Sequence, residues 1–304
     1  MFVGHRRLIC VLMTCIASVA GLCEVCVCEE KSLPPKEPNS FFALCMDTHD
    51  EKHRSMDEQN AMLAELGFDG VAHLWLDGLE ERAESARRHG LRVTQVCMRV
   101  DLAAESEDAA FDSRLANVLP CVAGMETQLA LLIYGGAPSD TSLDEYAKRI
   151  IQRIVDIAEP SGVHVVLYPH VGAWNERVAD GVRVAEMFPE HNVSVMFNLC
   201  HWMAVEEEDS PEGTLEAAKP YLAAITINGS DTPAEIRAKT GNWLQSLDAG
   251  SYSLEPLMRI LHRVNYRGPI GLQCYGIPGD ASVHLERSME RWRELKPLIS
   301  QQHN

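Results

Sequence analysis

Apolar residues along this chain gather into short runs, and the stretches between them carry helical spacing. The runs are Phe41–Met46, Gly70–Leu76, Arg92–Met98, Leu129–Tyr134, His164–Tyr168, Val193–Asn198, Ala223–Asn228 and Pro269–Tyr275. They are rich in Val, Ile, Leu and Phe, as strands buried on both faces are. Asp57–Leu66 repeats apolar residues at Ala61, Met62 and Leu66 and stops at Gly67, and Leu79–His89 stops in the same way at Gly90. Leu143–Ala158 ends ahead of Pro160 and Gly162. Glu176–Met187, Leu254–Val264 and Ala281–Leu295 complete the clear helices, with a weaker one around Thr214–Lys219.

Strands that alternate with helices predict a parallel sheet with right-handed crossovers. Their number, and a length of 304 residues, predict closure into one α/β domain, a (β/α)8 barrel. An open doubly wound sheet is the alternative, but no Gly-x-Gly-x-x-Gly follows the first strand. Chemistry in such a barrel sits at the carboxyl ends of the strands. Those ends are Leu167-Tyr168-Pro169-His170, Phe197-Asn198-Leu199-Cys200-His201-Trp202, Ile227-Asn228-Gly229-Ser230-Asp231 and Gly271-Leu272-Gln273-Cys274-Tyr275.

Composition narrows the partners. Hydrophobic residues make up 46% and charged residues 23%, in the range of a folded globular domain. A formal net charge of -17 argues against nucleic acid or anionic membrane surfaces, which need basic patches. The acidic run Glu206-Glu207-Glu208-Asp209 reads as a solvated loop after the sixth strand.

The first residues read as a targeting segment. His5-Arg6-Arg7 is a short basic region, and Leu8 to Val19 is apolar apart from Thr14 and Ser18. Ser18-Val19-Ala20 offers small residues to a signal peptidase. This predicts a signal peptide over 1–20, a linker over 21–40 and the barrel over 41–298. The expected location is periplasmic or secreted, with no membrane span, because the apolar run is too short. A lipoprotein anchored at Cys23 is the alternative, although Leu22 precedes that cysteine. Of ten cysteines, Cys10, Cys15, Cys23, Cys26 and Cys28 fall in or just after the leader. Cys45, Cys97, Cys200 and Cys274 each end or follow a strand and read as small buried hydrophobes, with a catalytic thiol at Cys200 as a lesser alternative.

Two segments carry a resemblance. Leu63-Ala64-Glu65-Leu66-Gly67-Phe68-Asp69-Gly70-Val71 is similar to the first helix and second strand of the sugar phosphate isomerase/epimerase family, the xylose-isomerase-like TIM barrels. Asn265-Tyr266-Arg267-Gly268-Pro269-Ile270-Gly271 resembles that family's last helix and strand. The resemblance covers essentially all of the chain from Phe41 onward. It implies a divalent metal held by a Glu after strand five, an Asp with a nearby His after strand six, a His after strand seven and a Glu on strand eight.

On this chain those positions hold Tyr168, Asn198, with His201 nearby, Asn228 and Gln273. Every carboxylate ligand is replaced. Amides bind sugar hydroxyls well and divalent cations poorly. A softer cation at His170 and His201 would need a third ligand, for which Asp231, Asp47 and His49 are the candidates.

The resemblance implies proton transfer next to a sugar carbonyl, and a lyase is within its range. His201 is then the expected base, His170 an acid or second base, and Asp231 an alternative base. Tyr168, Asn198, Trp202, Asn228 and Gln273 are expected to bind substrate. Arg99 would grip a phosphate or carboxylate, or else pair with Asp101 or Asp47. Trp75, Tyr134, Tyr168, Trp174, Trp202 and Tyr275 fall near strand ends, where aromatic faces stack on sugars. The expected partner is a small sugar or sugar derivative. A non-catalytic sugar-binding barrel that has lost its metal is the alternative, and a hydrolase using Asp231 with Asp47 a weaker third.

Overall fold

Eight short strands alternate their side chains between two apolar environments. In a computed structural model of the protein, the described residues are Leu33 and 37–300 apart from 190–191 and 207–209. The leader, its cysteines and most of the linker lie outside them. The strands are β1 (Phe41–Leu44), β2 (Gly70–Leu74), β3 (Arg92–Asp101), β4 (Gln128–Tyr134), β5 (His164–Leu167), β6 (Val193–Asn198), β7 (Leu222–Ile227) and β8 (Ile270–Gln273). They pair in parallel and in chain order, and β8 closes on β1 with Leu44 opposite Gln273. The expected (β/α)8 TIM barrel is the observed fold.

The two-residue period sorts the side chains. Phe42, Leu44, Ala72, Cys97, Ala130, Val166, Tyr168, Met196 and Ala224 pack together along the barrel axis. Phe41, Ala43, Val71, Val96, Leu167, Ile225 and Leu272 point outward to the helices. The axis is crowded. A Cβ on Gly271 would meet the Phe42 ring at 2.6 Å, so only glycine lets that ring cross to β8. Below it, the Gln95 amide donates to Gln128 at 3.1 Å, and Gln128 donates to the Ala223 carbonyl at 2.9 Å.

The helices form where the spacing places them. Met56–Leu66 begins with a capping box between Ser55 and Glu58 and ends at Gly67 with φ 91°, a conformation that suits glycine. The last long helix, Ala281–Leu295, seats Trp292 on Phe41 with ring centroids 4.4 Å apart. Stacking of this kind adds about 0.5–1.5 kcal/mol beyond burial and ties the chain's last unit to its first strand. No helix among the described residues is long and apolar enough to cross a membrane.

Some elements differ from expectation. β3 runs three residues further, through Asp101, because Val100 and Asp101 pair with Ile133 and Tyr134 of β4. A short helix, Leu199–Val205, follows β6 directly and carries His201; no apolar repeat in the sequence marks it. Glu206 is not solvated: it is buried and pairs with Arg177 at 2.5 Å.

Candidate active site

The mouth of the barrel at the strands' carboxyl ends opens into a cavity of about 320 Å³. Its walls come from Trp75, Tyr134, Trp243 and Tyr275, and its floor from Tyr168, His170, His201 and Gln273. Cys45, Cys97 and Cys200 fill the spaces between. None of these side chains is a carboxylate, a lysine or an arginine.

Tyr168 continues the inward face of β5 and places its phenol on the axis. Asn198, at the end of β6, donates its amide to the Tyr168 hydroxyl at 2.7 Å, and Gln273 from β8 donates to the same oxygen at 3.2 Å. Two N–H groups occupy the oxygen's lone pairs, so its own proton is available as a donor. The Asn198 oxygen accepts the Cys200 thiol at 2.9 Å.

His170 and His201 face each other above Tyr168. Their ring centroids are 3.9 Å apart and the rings are tilted by 42°. Burial lowers the pKa of both, and the His170 imidazole further disfavours a charge on His201, so the pair is neutral near neutral pH. His170 Nδ1 donates to the Val171 carbonyl at 2.8 Å. That fixes the tautomer and leaves Nε2 as the basic nitrogen. His201 is only 6% exposed, and its Nδ1 has no hydrogen-bond partner.

The thiols here are inert. Desolvation pushes Cys97 up to about 12 and Cys200 higher still, which removes the thiolate that nucleophilic chemistry needs.

The remaining expected site residues lie elsewhere. Asn228 is buried, but it turns away from the cavity and donates to the Gly229 and Trp243 carbonyls at 2.8 and 2.7 Å. Asp231 is a loop anchor: its carboxylate accepts the backbone N–H groups of Asn242 at 2.8 Å and Ser251 at 3.1 Å. Trp202 faces outward, packs on Phe197 and donates to Thr214 at 3.2 Å. Trp174 is likewise turned away, donating to the Asp140 carbonyl. Arg99 stands exposed outside the cavity with its guanidinium 4.5 Å from the centre of the Tyr134 ring, rather than in an ion pair with Asp101 or Asp47. Of the six aromatics expected at the mouth, Trp75, Tyr134, Tyr168 and Tyr275 line the cavity.

Trp243 and Leu244 are the contacts that the sequence did not reveal. They lie on the long loop after β7, which folds back against its own stem. Gly229 and Gln245 exchange backbone hydrogen bonds at 3.1 and 2.8 Å, and Asp231 N–H reaches the Asn242 carbonyl at 2.9 Å. The approach is so close that a Cβ on Gly229 would meet the Ser246 carbonyl at 1.9 Å. The loop lays Trp243 edge-on to His201, with centroids 5.9 Å apart and rings at 79°.

The family model for xylose isomerase-like TIM barrels matches residues 61–297. The chain belongs to that family. Solved structures of the same fold include D-psicose 3-epimerase from Clostridium cellulolyticum H10, in complex with D-tagatose. It is 15% identical, at a TM-score of 0.64, with 86% of this chain and 99% of that one covered. The 3-keto-D-glucoside 4-epimerase YcjR from E. coli is 16% identical at 0.64, covering 84% and 99%. An AP endonuclease, family 2, from Brucella melitensis is 17% identical at 0.63, covering 86% and 98%. No curated protein matches the sequence.

The residues present do not fit the divalent cation that the family resemblance implies. Tyr168, Asn198 and Gln273 satisfy one another, and Asn228 gives its N–H groups to the loop, leaving one neutral amide oxygen, a poor ligand for a divalent cation. Among the described residues no three His, Cys, Asp or Glu side chains are grouped so that they could hold a metal ion. Two candidate third ligands for the histidine pair are engaged elsewhere: Asp231 anchors the loop, and His49 bonds Thr48 at 3.1 Å and packs on Tyr275; the third, Asp47, is exposed and does not line the cavity.

Proposed function

We propose that this protein is a sugar isomerase/epimerase-like enzyme, moving a proton at a carbon next to a carbonyl. The observation that carries this reading is the neutral His170–His201 pair on the floor of the mouth cavity, at the face where barrel chemistry resides. His170 Nε2 is the base that meets the substrate carbon. His201, packed against it on the same side of the ligand, takes up or returns the proton through the imidazole pair. The Tyr168 hydroxyl donates to the oxygen on which charge develops, a role its two amide donors leave open. Gln273 orients a substrate hydroxyl. The fold shared with the ketose epimerase and the keto-glucoside epimerase supports the substrate class. The leader suggests that the enzyme works outside the cytoplasm, which cell fractionation tests.

The test is turnover of a panel of ketoses, aldoses and keto-glycosides by wild type, His201→Ala and His170→Ala, followed by solvent deuterium incorporation. Exchange in the wild type that falls about a hundredfold or more in each variant supports the reading. Sugar binding with no exchange on any substrate would sink it and leave a non-catalytic sugar-binding barrel.

A further inference from the structure

We infer that the cavity selects an uncharged ligand presenting an apolar ring face, and that Trp243 is the wall that reads that face. The sugar part of the ligand rests on the proposed function; the rest stands on the cavity alone.

The first observation is what the lining lacks. A phosphate or carboxylate needs a cation or several convergent N–H donors when it is taken out of water. No lysine or arginine lines the cavity, and Arg99 lies outside it, stacked on Tyr134. A cationic ligand would likewise find no carboxylate.

The second observation is what the lining offers. Trp75, Tyr134, Trp243 and Tyr275 surround the opening, while the polar atoms cluster on the floor at His170, His201, Tyr168 and Gln273. Beneath them His201 Nδ1 is buried without a hydrogen-bond partner. A ligand with hydroxyls all round would leave most of them facing carbon. A ring that is polar at one end and apolar at the other meets each surface with its like, as a sugar carrying an aryl substituent does.

The third observation is that Trp243 is placed with precision. Asn228 holds the Trp243 carbonyl at 2.7 Å, and the Gly229–Gln245 bridge fixes the register of the loop. Asn228 is therefore a positioning residue, acting on the ligand only through Trp243.

The experiment is calorimetric titration of the full protein with six probes: a free hexose, its methyl glycoside, its 4-nitrophenyl glycoside, the hexose 6-phosphate, the hexuronic acid, and 4-nitroanisole. The expected result is that the aryl glycoside binds about ten-fold or more tightly than the free hexose, and that both anions bind more weakly than the hexose. Trp243→Ala then costs about ten-fold in aryl glycoside affinity, with circular dichroism unchanged, and Trp243→Phe recovers most of it. The inference is overturned if an anion binds as tightly as the uncharged sugar, if folded Trp243→Ala binds like wild type, or if no probe binds. Binding of 4-nitroanisole alone, dependent on Trp243, keeps the inference and sinks the sugar reading. Equal turnover of hexose and aryl glycoside, unaffected in Trp243→Ala, sinks the inference and keeps the sugar reading.

Discussion

Asn198 hands its side-chain amide to the hydroxyl of Tyr168 at 2.7 Å, at the centre of the barrel mouth. Both residues stand where the family pattern implies metal ligands, and here they satisfy each other. Tyr168→Phe removes the shared acceptor and strands the Asn198 and Gln273 donors in a buried site. Each stranded donor costs about 1–3 kcal/mol, so thermal unfolding of the variant should shift down by several degrees. If the phenol also donates to a developing oxyanion, kcat falls by about a hundredfold. A large loss of Tm with unchanged kcat would restrict Tyr168 to architecture.

Stability should decline on mild acidification. His73, His164, His170, His201 and His284 are all held below their ordinary value of 6.5, desolvation being the main cause in each case, and His284 falls to about 4. The folded state therefore keeps them neutral while the unfolded chain takes up protons. Stability is complete above about pH 6.5 and is lost as pH falls from there toward 4. Carboxylates such as Glu255 and Asp280, lowered to about 2, give up their contributions further down. Tm measured from about pH 8 to pH 4 should be flat and then fall through the histidine window. His284→Gln should make that fall shallower; an unchanged slope would exclude His284 as a contributor.

Asp231 gives a clean separation between structure and chemistry. Its carboxylate is fully used on Asn242 and Ser251 N–H groups of the roof loop. Asp231→Ala should lower Tm and loosen the loop, seen as faster amide exchange across 241–251. Asp231→Asn, which keeps one acceptor, should retain most turnover with an unshifted pH profile. Abolished turnover in Asp231→Asn at wild-type Tm would return this residue to the role of base.

The donor set also predicts a metal experiment. Protein incubated with Mn²⁺ or Zn²⁺ and passed through a desalting column should carry far less than one equivalent by elemental analysis. Chelator treatment should leave Tm and sugar binding unchanged. A retained stoichiometric cation would mean that donors outside the described residues complete a site.

The barrel was legible because alternating apolar runs and helical spacing are properties of local sequence. The inward positions Tyr168 and Gln273 were legible for the same reason, since a strand's period of two fixes which side chains reach the axis. Asp231 misled because a carboxylate beyond a strand end reads as free until the chain that folds back on it is visible. Trp202 was misassigned because Leu199–Val205 turns into helix immediately after β6, rotating it outward while His201 stays inward. Trp243 lies fifteen residues past Asn228 in a loop without periodicity, and nothing local announces that its backbone returns to the mouth.

The bridged loop after β7 also sets the traffic of the site. Its Gly229–Ser246 contact has no slack, and lifting Trp243 would break the Gly229–Gln245 pair and strip Asn228 and Asp231 of their partners. The roof is masonry rather than a hinged door. The freer side chains of the rim are Trp75 and Tyr275, 45% and 54% exposed. Whatever accommodation a bulky visitor requires therefore falls to those two side chains and not to the loop.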